Sequence, residues 1–159
     1  MPEFRSAGRG DHMKSREAEG LIVKGMAALD NDHLHLALVC FERAAAMVDT
    51  PVAGSGLGYC CAAVRGEVER GVALCRDAVA REPGNVFHYR NLGNVLLLAG
   101  KGREAIEVFR AGLRISHDKE IISRLDALGT RKPPVFRTLG REHFLNRTVG
   151  LFLSRIGFR

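Results

Sequence analysis

The residues of this chain that could do chemistry are six histidines, four cysteines and one glycine-rich turn. Their spacing points away from a reaction. His33 and His35 are two apart in "DNDHLHL", so on a helix their rings would diverge, and solvated turn histidines are expected rather than a metal pair. His88, His117 and His143 fall near predicted helix ends with no nucleophile or carboxylate at motif spacing. Cys40, Cys60, Cys61 and Cys75 lie inside predicted helices without a CxxC pair or zinc-type His spacing, so they are expected to serve as small buried hydrophobes. "GSGLG" at 54–58 looks like a phosphate loop, yet no strand precedes it and the GxGxxG spacing is absent. The expectation is a protein that is not an enzyme, with no cofactor and no metal.

The elements that carry these residues follow from composition and pattern. A chain of 159 residues that is 46% hydrophobic can bury one core. Residues 14–129 hold 15 Lys/Arg against 15 Asp/Glu, whereas residues 130–159 hold seven Lys/Arg against Glu142 alone. The tail therefore carries the whole net charge of +6. Residues 1–12, "MPEFRSAGRGDH", lack hydrophobic periodicity, and Glu3-Phe4 and His12-Met13 match common cloning sites, so the segment is expected to be a vector remnant before a natural start at Met13. The charged "MKSREAEG" that follows has no apolar stretch of a signal peptide. No apolar run approaches the roughly 18 residues of a membrane span, which makes a cytoplasmic location the default.

A repeat organises the middle of the chain. Ala37, Phe41 and Ala44 return as Gly71, Cys75 and Ala78, then as Ala105, Phe109 and Gly112, each step being 34 residues. Gly25 and Gly93 are two periods apart. In the third unit, residues 86–119, Tyr89, Leu92-Gly93, Leu96, Ala105, Phe109 and Gly112 occur together. Small residues at Gly93, Ala105 and Gly112 would let two antiparallel helices approach, while Leu96 and Phe109 fill the space around the contact. One such pair cannot bury its apolar faces alone, so neighbours must stack.

This pattern resembles the tetratricopeptide repeat (TPR). The resemblance implies an all-α, right-handed solenoid of antiparallel helix pairs across 13–129: three repeats (18–51, 52–85 and 86–119) and a capping helix (120–129). In unit one, helices are expected at about Glu17 to Leu29 and His33 to Val48, with "DND" as the turn and Leu21 in place of the family aromatic. Unit two closes with Pro83 where the family has proline, but Leu57-Gly58 come one residue early, which implies an extra residue before Gly71. "PVAGSG" should delay its first helix to near Ser55 or Gly56 and leave it the weakest part of the stack. Ile121, Ile122, Leu125 and Leu128 line one side of the capping helix, with Gly129 as its stop.

In TPR proteins the first helices line a concave groove that holds extended peptides or helices. Carrying those positions over gives Glu19, Ile22, Met26 and Leu29, then Ala53, Gly56, Cys60 and Ala63, then Phe87, Arg90, Asn94, Leu97 and Leu98. One family mode grips a terminal carboxylate with basic and Asn side chains. Arg90 and Asn94 fit it, but Ile22 and Gly56 stand where polar residues would be needed. The expectation is an apolar groove for a hydrophobic or helical segment of a protein partner, with Met26, Leu29, Phe87, Arg90, Asn94 and Leu97 as the contacts.

Pro133 and Pro134 then break the chain ahead of a second amphipathic helix, with Leu145, Val149, Phe152, Leu153 and Ile156 at helical spacing among basic residues. This proline-hinged tail, 130–159, could pack on its own solenoid, exchange into another copy to make a homo-oligomer, or lie on an anionic membrane surface. No base-reading motif is present, and no nucleic-acid partner is expected. The overall expectation is a non-catalytic protein-interaction scaffold. The alternatives are a three-repeat chaperone of the secretion type and a membrane-surface adaptor anchored by the tail.

Overall fold

The computed structural model describes residues 7–129, and the tail positions Leu145, Val149, Phe152, Leu153 and Ile156 lie outside them. Seven helices fill the described residues: α1 (Ala7–Asp30), α2 (Leu34–Met47), α3 (Pro51–Arg65), α4 (Val68–Arg81), α5 (Val86–Leu98), α6 (Gly102–Ile115) and α7 (Lys119–Ala127). They pair as α1–α2, α3–α4 and α5–α6, and successive pairs stack through α2–α3 and α4–α5. The first helix of each pair also meets the next, because α3 touches both α1 and α5. Residues 7–125 belong to one compact unit. Among the described residues no helix is long and apolar enough to cross a membrane.

Two helix starts differ from expectation. α1 begins at Ala7 rather than near Glu17, since no proline or competing cap interrupts the run that leads into it. α3 begins at Pro51 rather than at Ser55 or Gly56. The reason is local: the Thr50 side chain accepts a hydrogen bond from the Ala53 N–H at 3.3 Å, and Pro51 occupies the first turn, where its missing N–H has no partner to lose. That start signal outweighs the low helix propensity of Gly54, Gly56 and Gly58.

The turns inside the pairs reverse by left-handed residues. Asp32, an acidic residue of the kind that tolerates this conformation, takes φ 58° between α1 and α2. Gly66 and Gly100 take φ 72° and 71° in the other two pairs.

Aromatic rings seated on glycines hold the pairs together. Phe41 and Phe109 are fully buried. A Cβ added to Gly25 would stand 2.9 Å from the Phe41 ring, one on Gly56 would stand 2.5 Å from it, and one on Gly93 would overlap Phe109. In the middle pair Cys75 replaces the aromatic, and the smaller side chain lets the backbones close: a Cβ on Gly71 would stand 2.6 Å from the Gly58 carbonyl oxygen. The extra residue is visible here. Gly25 and Gly93 precede their partners Phe41 and Phe109 by 16 positions, whereas Gly58 precedes Cys75 by 17.

Two apolar clusters result. One gathers Ala37, Phe41, Leu57, Cys60, Cys61 and Phe87, and the other Cys75, Leu92, Val95, Leu96, Phe109, Ile121 and Leu125. Ile121 and Leu125 thus place α7 over the end of the third pair, while Ile122 is half-buried and Leu128 is exposed. Each fully buried leucine, isoleucine or phenylalanine contributes on the order of 1.5–3 kcal/mol, and these clusters are the main stabilising term. Ion pairs between helices, such as Arg65–Glu42 at 2.6 Å and Arg76–Glu104 at 3.3 Å, are solvent-exposed and add little.

Candidate functional site

The buried polar side chains among the described residues are Ser55, His88, Asn91 and Asn94, and they all lie on two helices, α3 and α5. A polar group removed from water is costly unless it is hydrogen-bonded. Ser55 Oγ is 2.8 Å from His88 Nδ1, His88 Nε2 is 3.1 Å from Glu82 Oε2, and Asn91 Nδ2 donates to Ser55 Oγ at 3.4 Å. The Glu82 carboxyl is held below its ordinary range, chiefly by the hydrogen bond from His88 and then by that from Asn85. Ser, His and Glu in sequence of contact resemble a hydrolase triad in residue type, but Ser55 and His88 are both fully buried.

Two polar atoms at this interface are left over. Asn91 Oδ1 and Asn94 Oδ1 are buried with no hydrogen-bond partner. Each such orphan acceptor costs about 1–3 kcal/mol. Both side chains line a cavity of about 700 Å³ whose other walls include Leu29, Asp32, Tyr59, Arg90 and Arg124.

Arg90 spans this cavity. Its guanidinium lies 5.2 Å over the Phe87 ring and pairs with Asp30 at 3.4 Å, at the end of α1, and with Asp118 at 3.8 Å, just before α7. Asp118 also caps α7, accepting from the Ile121 N–H at 2.9 Å. Arg90 is therefore held in place from two sides and already neutralised. Tyr59, half-buried on α3, has its phenol pushed above the ordinary value, mainly by burial.

No family model and no curated protein matches the chain. Solved structures do. The TPR domain of Arabidopsis OM64 superimposes with a TM-score of 0.57 at 17% identity, covering 73% of this chain and 97% of that one. The first TPR of Spaghetti (RPAP3), bound to the HSP90 peptide SRMEEVD, gives 0.57 at 18%, covering 72% and 94%. The Sgt2 TPR domain from Aspergillus fumigatus gives 0.56 at 17%, covering 82% and 93%. The chain has the TPR fold.

Within the TPR fold the expected contacts separate into two groups. Leu29, Arg90 and Asn94 line the cavity together. Met26 is half-buried against the first apolar cluster, and Leu97 against the second. Phe87 is 5% exposed, wedged 6.4 Å from Phe41 across the α5–α2 boundary, and belongs to the core rather than to an open face. Leu98, 50% exposed, borders a smaller apolar depression with Val68 and Val72.

On α3 the positions expected from the repeat and the residue that lines the cavity differ by one. Ala53, Gly56 and Cys60 are buried, and Gly56 carries the Phe41 ring. Because the inserted residue moves the Gly58 contact forward, Tyr59 faces the cavity in place of Cys60. Charged residues, Asn and Tyr dominate the lining of this cavity.

The histidine chemistry read differently in sequence as well. His33 sits exposed at the start of α2 and His35 is exposed on it, as expected. His88 has both a hydroxyl and a carboxylate partner that motif spacing did not reveal. The available signal was the repeat itself: Ser55 lies 33 residues before His88 and 36 before Asn91, close to one period, which places them on adjacent first helices. All four cysteines are buried free thiols. Burial pushes Cys60 and Cys75 up to about 12. Among the described residues no cluster of His, Cys, Asp and Glu is arranged to hold a metal.

Proposed function

We propose that this chain is a non-catalytic protein-interaction module that binds a peptide segment of a partner in the cavity between α1, α3, α5 and α7. The observation that carries the reading is that Asn91 and Asn94, whose buried Oδ1 atoms have no partner, both line a cavity large enough for several side chains. Groups that cost stability when the cavity is empty favour an occupant that satisfies them. A neighbour of the same fold is bound to a peptide, which supports the class of ligand without naming it. The polar lining speaks against the secretion-chaperone alternative, which needs an apolar groove.

The test is selection from a displayed random-peptide library, comparing the full chain with Asn94→Ala and with Arg90→Ala. Peptides selected on the wild type should lose at least about tenfold in affinity on Asn94→Ala, the expected loss for one hydrogen bond to a buried group. Equal binding to the variants at unchanged helicity would place the peptide elsewhere.

The segregation of all net charge into 130–159 supports a separate role for the tail, docking on its own stack or exchanging between copies. Light scattering over a concentration series decides. A dimer that becomes a folded monomer when the chain ends at Gly129 supports exchange, and liposome binding that weakens with salt would instead support the membrane adaptor.

A further inference from the structure

The hydrogen-bond chain behind Asn91 has a direction. Glu82, with its carboxyl held below the ordinary range and so ionised near neutrality, can only accept, which puts a proton on His88 Nε2 at 3.1 Å. In the imidazole tautomer that carries its hydrogen on Nε2, Nδ1 is an acceptor. Ser55, 2.8 Å away, gives its hydrogen to Nδ1 rather than to the more distant Val52 carbonyl at 3.3 Å. The Ser55 oxygen is then free to accept from Asn91 Nδ2. Each partner leaves the next one role, and the last group in line, Asn91 Oδ1, is the acceptor without a donor.

The charges around it point the same way. Arg90 is matched by Asp30 and Asp118, and Arg124 by Glu120 at 2.9 Å. Asp32, beside Tyr59 in the lining, has no ion-pair partner among the described residues, and neither do Lys119 and His117, the other basic residues of the lining. Across the lining four carboxylates face two arginines, one lysine and His117. An incoming carboxylate would have to displace Asp30 or Asp118 from Arg90, whereas a cation would meet Asp32 and the Tyr59 ring, with the buried Asn91 and Asn94 carbonyls behind them.

We infer that Ser55, His88 and Glu82 are positioning residues that hold the Asn91 carbonyl as an acceptor at the floor of the cavity, and that the cavity takes a lysine or arginine side chain of the bound segment. This rests on the peptide-binding reading above. It sets the site apart from that of the structural neighbour bound to SRMEEVD, a peptide with three acidic side chains.

Two measurements on the full chain test it. Imidazole nitrogen spectra should show His88 protonated at Nε2 and bare at Nδ1. In titrations of labelled protein, the amidated peptide SRMKKVK should shift the side-chain amide signals of Asn91 and Asn94 and bind at least about tenfold more tightly than SRMEEVD. Ser55→Ala, which frees the Asn91 amide to rotate, should shrink that preference to within about threefold. Should Ser55→Ala fold poorly, Glu82→Gln serves instead, because a surface amide can present either oxygen or nitrogen to His88 and should give a mixture of tautomers.

A bare Nε2 on His88 overturns the inference, and so does SRMEEVD binding as tightly as its charge-reversed counterpart. In the second case the groove reading survives and only the ligand chemistry falls. If neither peptide moves the groove signals, the peptide-binding reading fails and the cationic ligand with it.

Discussion

Replacing Gly93 by alanine should destabilise the protein, although alanine is the better helix former. The ideal Cβ at this position overlaps Phe109 Cε1 and stands 2.5 Å from Cδ1 and 2.6 Å from Cζ. Phe109 is fully buried, so its ring cannot swing into solvent to make room. Overpacking of this kind costs about 1–3 kcal/mol, sometimes more. The gain in helix propensity returns up to about 1 kcal/mol. The ring faces the glycine with three atoms, so the first term should win, for a net loss of about 1–2 kcal/mol. Gly20 supplies the internal control. It lies exposed within α1 with nothing within 4 Å of an added Cβ, so Gly20→Ala keeps only the propensity gain, about 0.5–1 kcal/mol. At roughly 2–4 °C per kcal/mol for a chain of this size, Gly93→Ala should lower the melting temperature by about 2–8 °C and Gly20→Ala raise it by about 1–4 °C. Melting followed by far-UV circular dichroism, with urea titration as a check, measures both. A Gly93→Ala protein as stable as the wild type would refute the seating of Phe109 on α5.

Other perturbations follow from the same contacts. Because the folded Glu82 carboxyl lies below its ordinary value of 4.5, its contribution is present above that value and is lost as pH falls through the lower folded value. Glu82→Gln should therefore flatten the acid limb of the melting-temperature profile, by a modest amount because the side chain is 43% exposed; an unchanged limb would count against the His88 contact. Thr50→Ala should cost about 1 kcal/mol by removing the α3 cap, and hydrogen exchange should rise first around Ala53; no change would show that Pro51 alone starts the helix. Cys60 and Cys75, pushed up to about 12, should resist alkylation at pH 8 in the native state and react readily once unfolded. Rapid native labelling of Cys75 would mean that the α3–α4 contact opens.

The repeat architecture was legible in the sequence because its code is local. A glycine on one helix and an aromatic or cysteine 16 or 17 residues later on the next describe one helix pair, and the same spacing recurs with each pair. Even the inserted residue of the middle pair could be read from Leu57-Gly58. The start of α3 departs from the expectation because the Thr50-Pro51 start signal outweighs the glycine content that follows it. The site was less legible. Arg90, Asn94 and Leu29, expected from their places in the repeat, line the cavity, while Phe87 lies in the core, since a helical spacing does not say which flank of α5 meets Phe41.

By itself, then, the sequence determined that three helix pairs form, where most of their turns fall and which small residues bring them together. These depend on steric contacts within a pair, where small and large residues must alternate at fixed intervals. Only the tertiary structure decided that Ser55 and His88 meet, that Tyr59 replaces Cys60 at the cavity, and that Arg90 is held between Asp30 and Asp118. Those contacts join different pairs. They depend on how far α3 is rotated when Gly58 and Gly71 close backbone to backbone, and a one-residue change of register there exchanges a core position for a groove position.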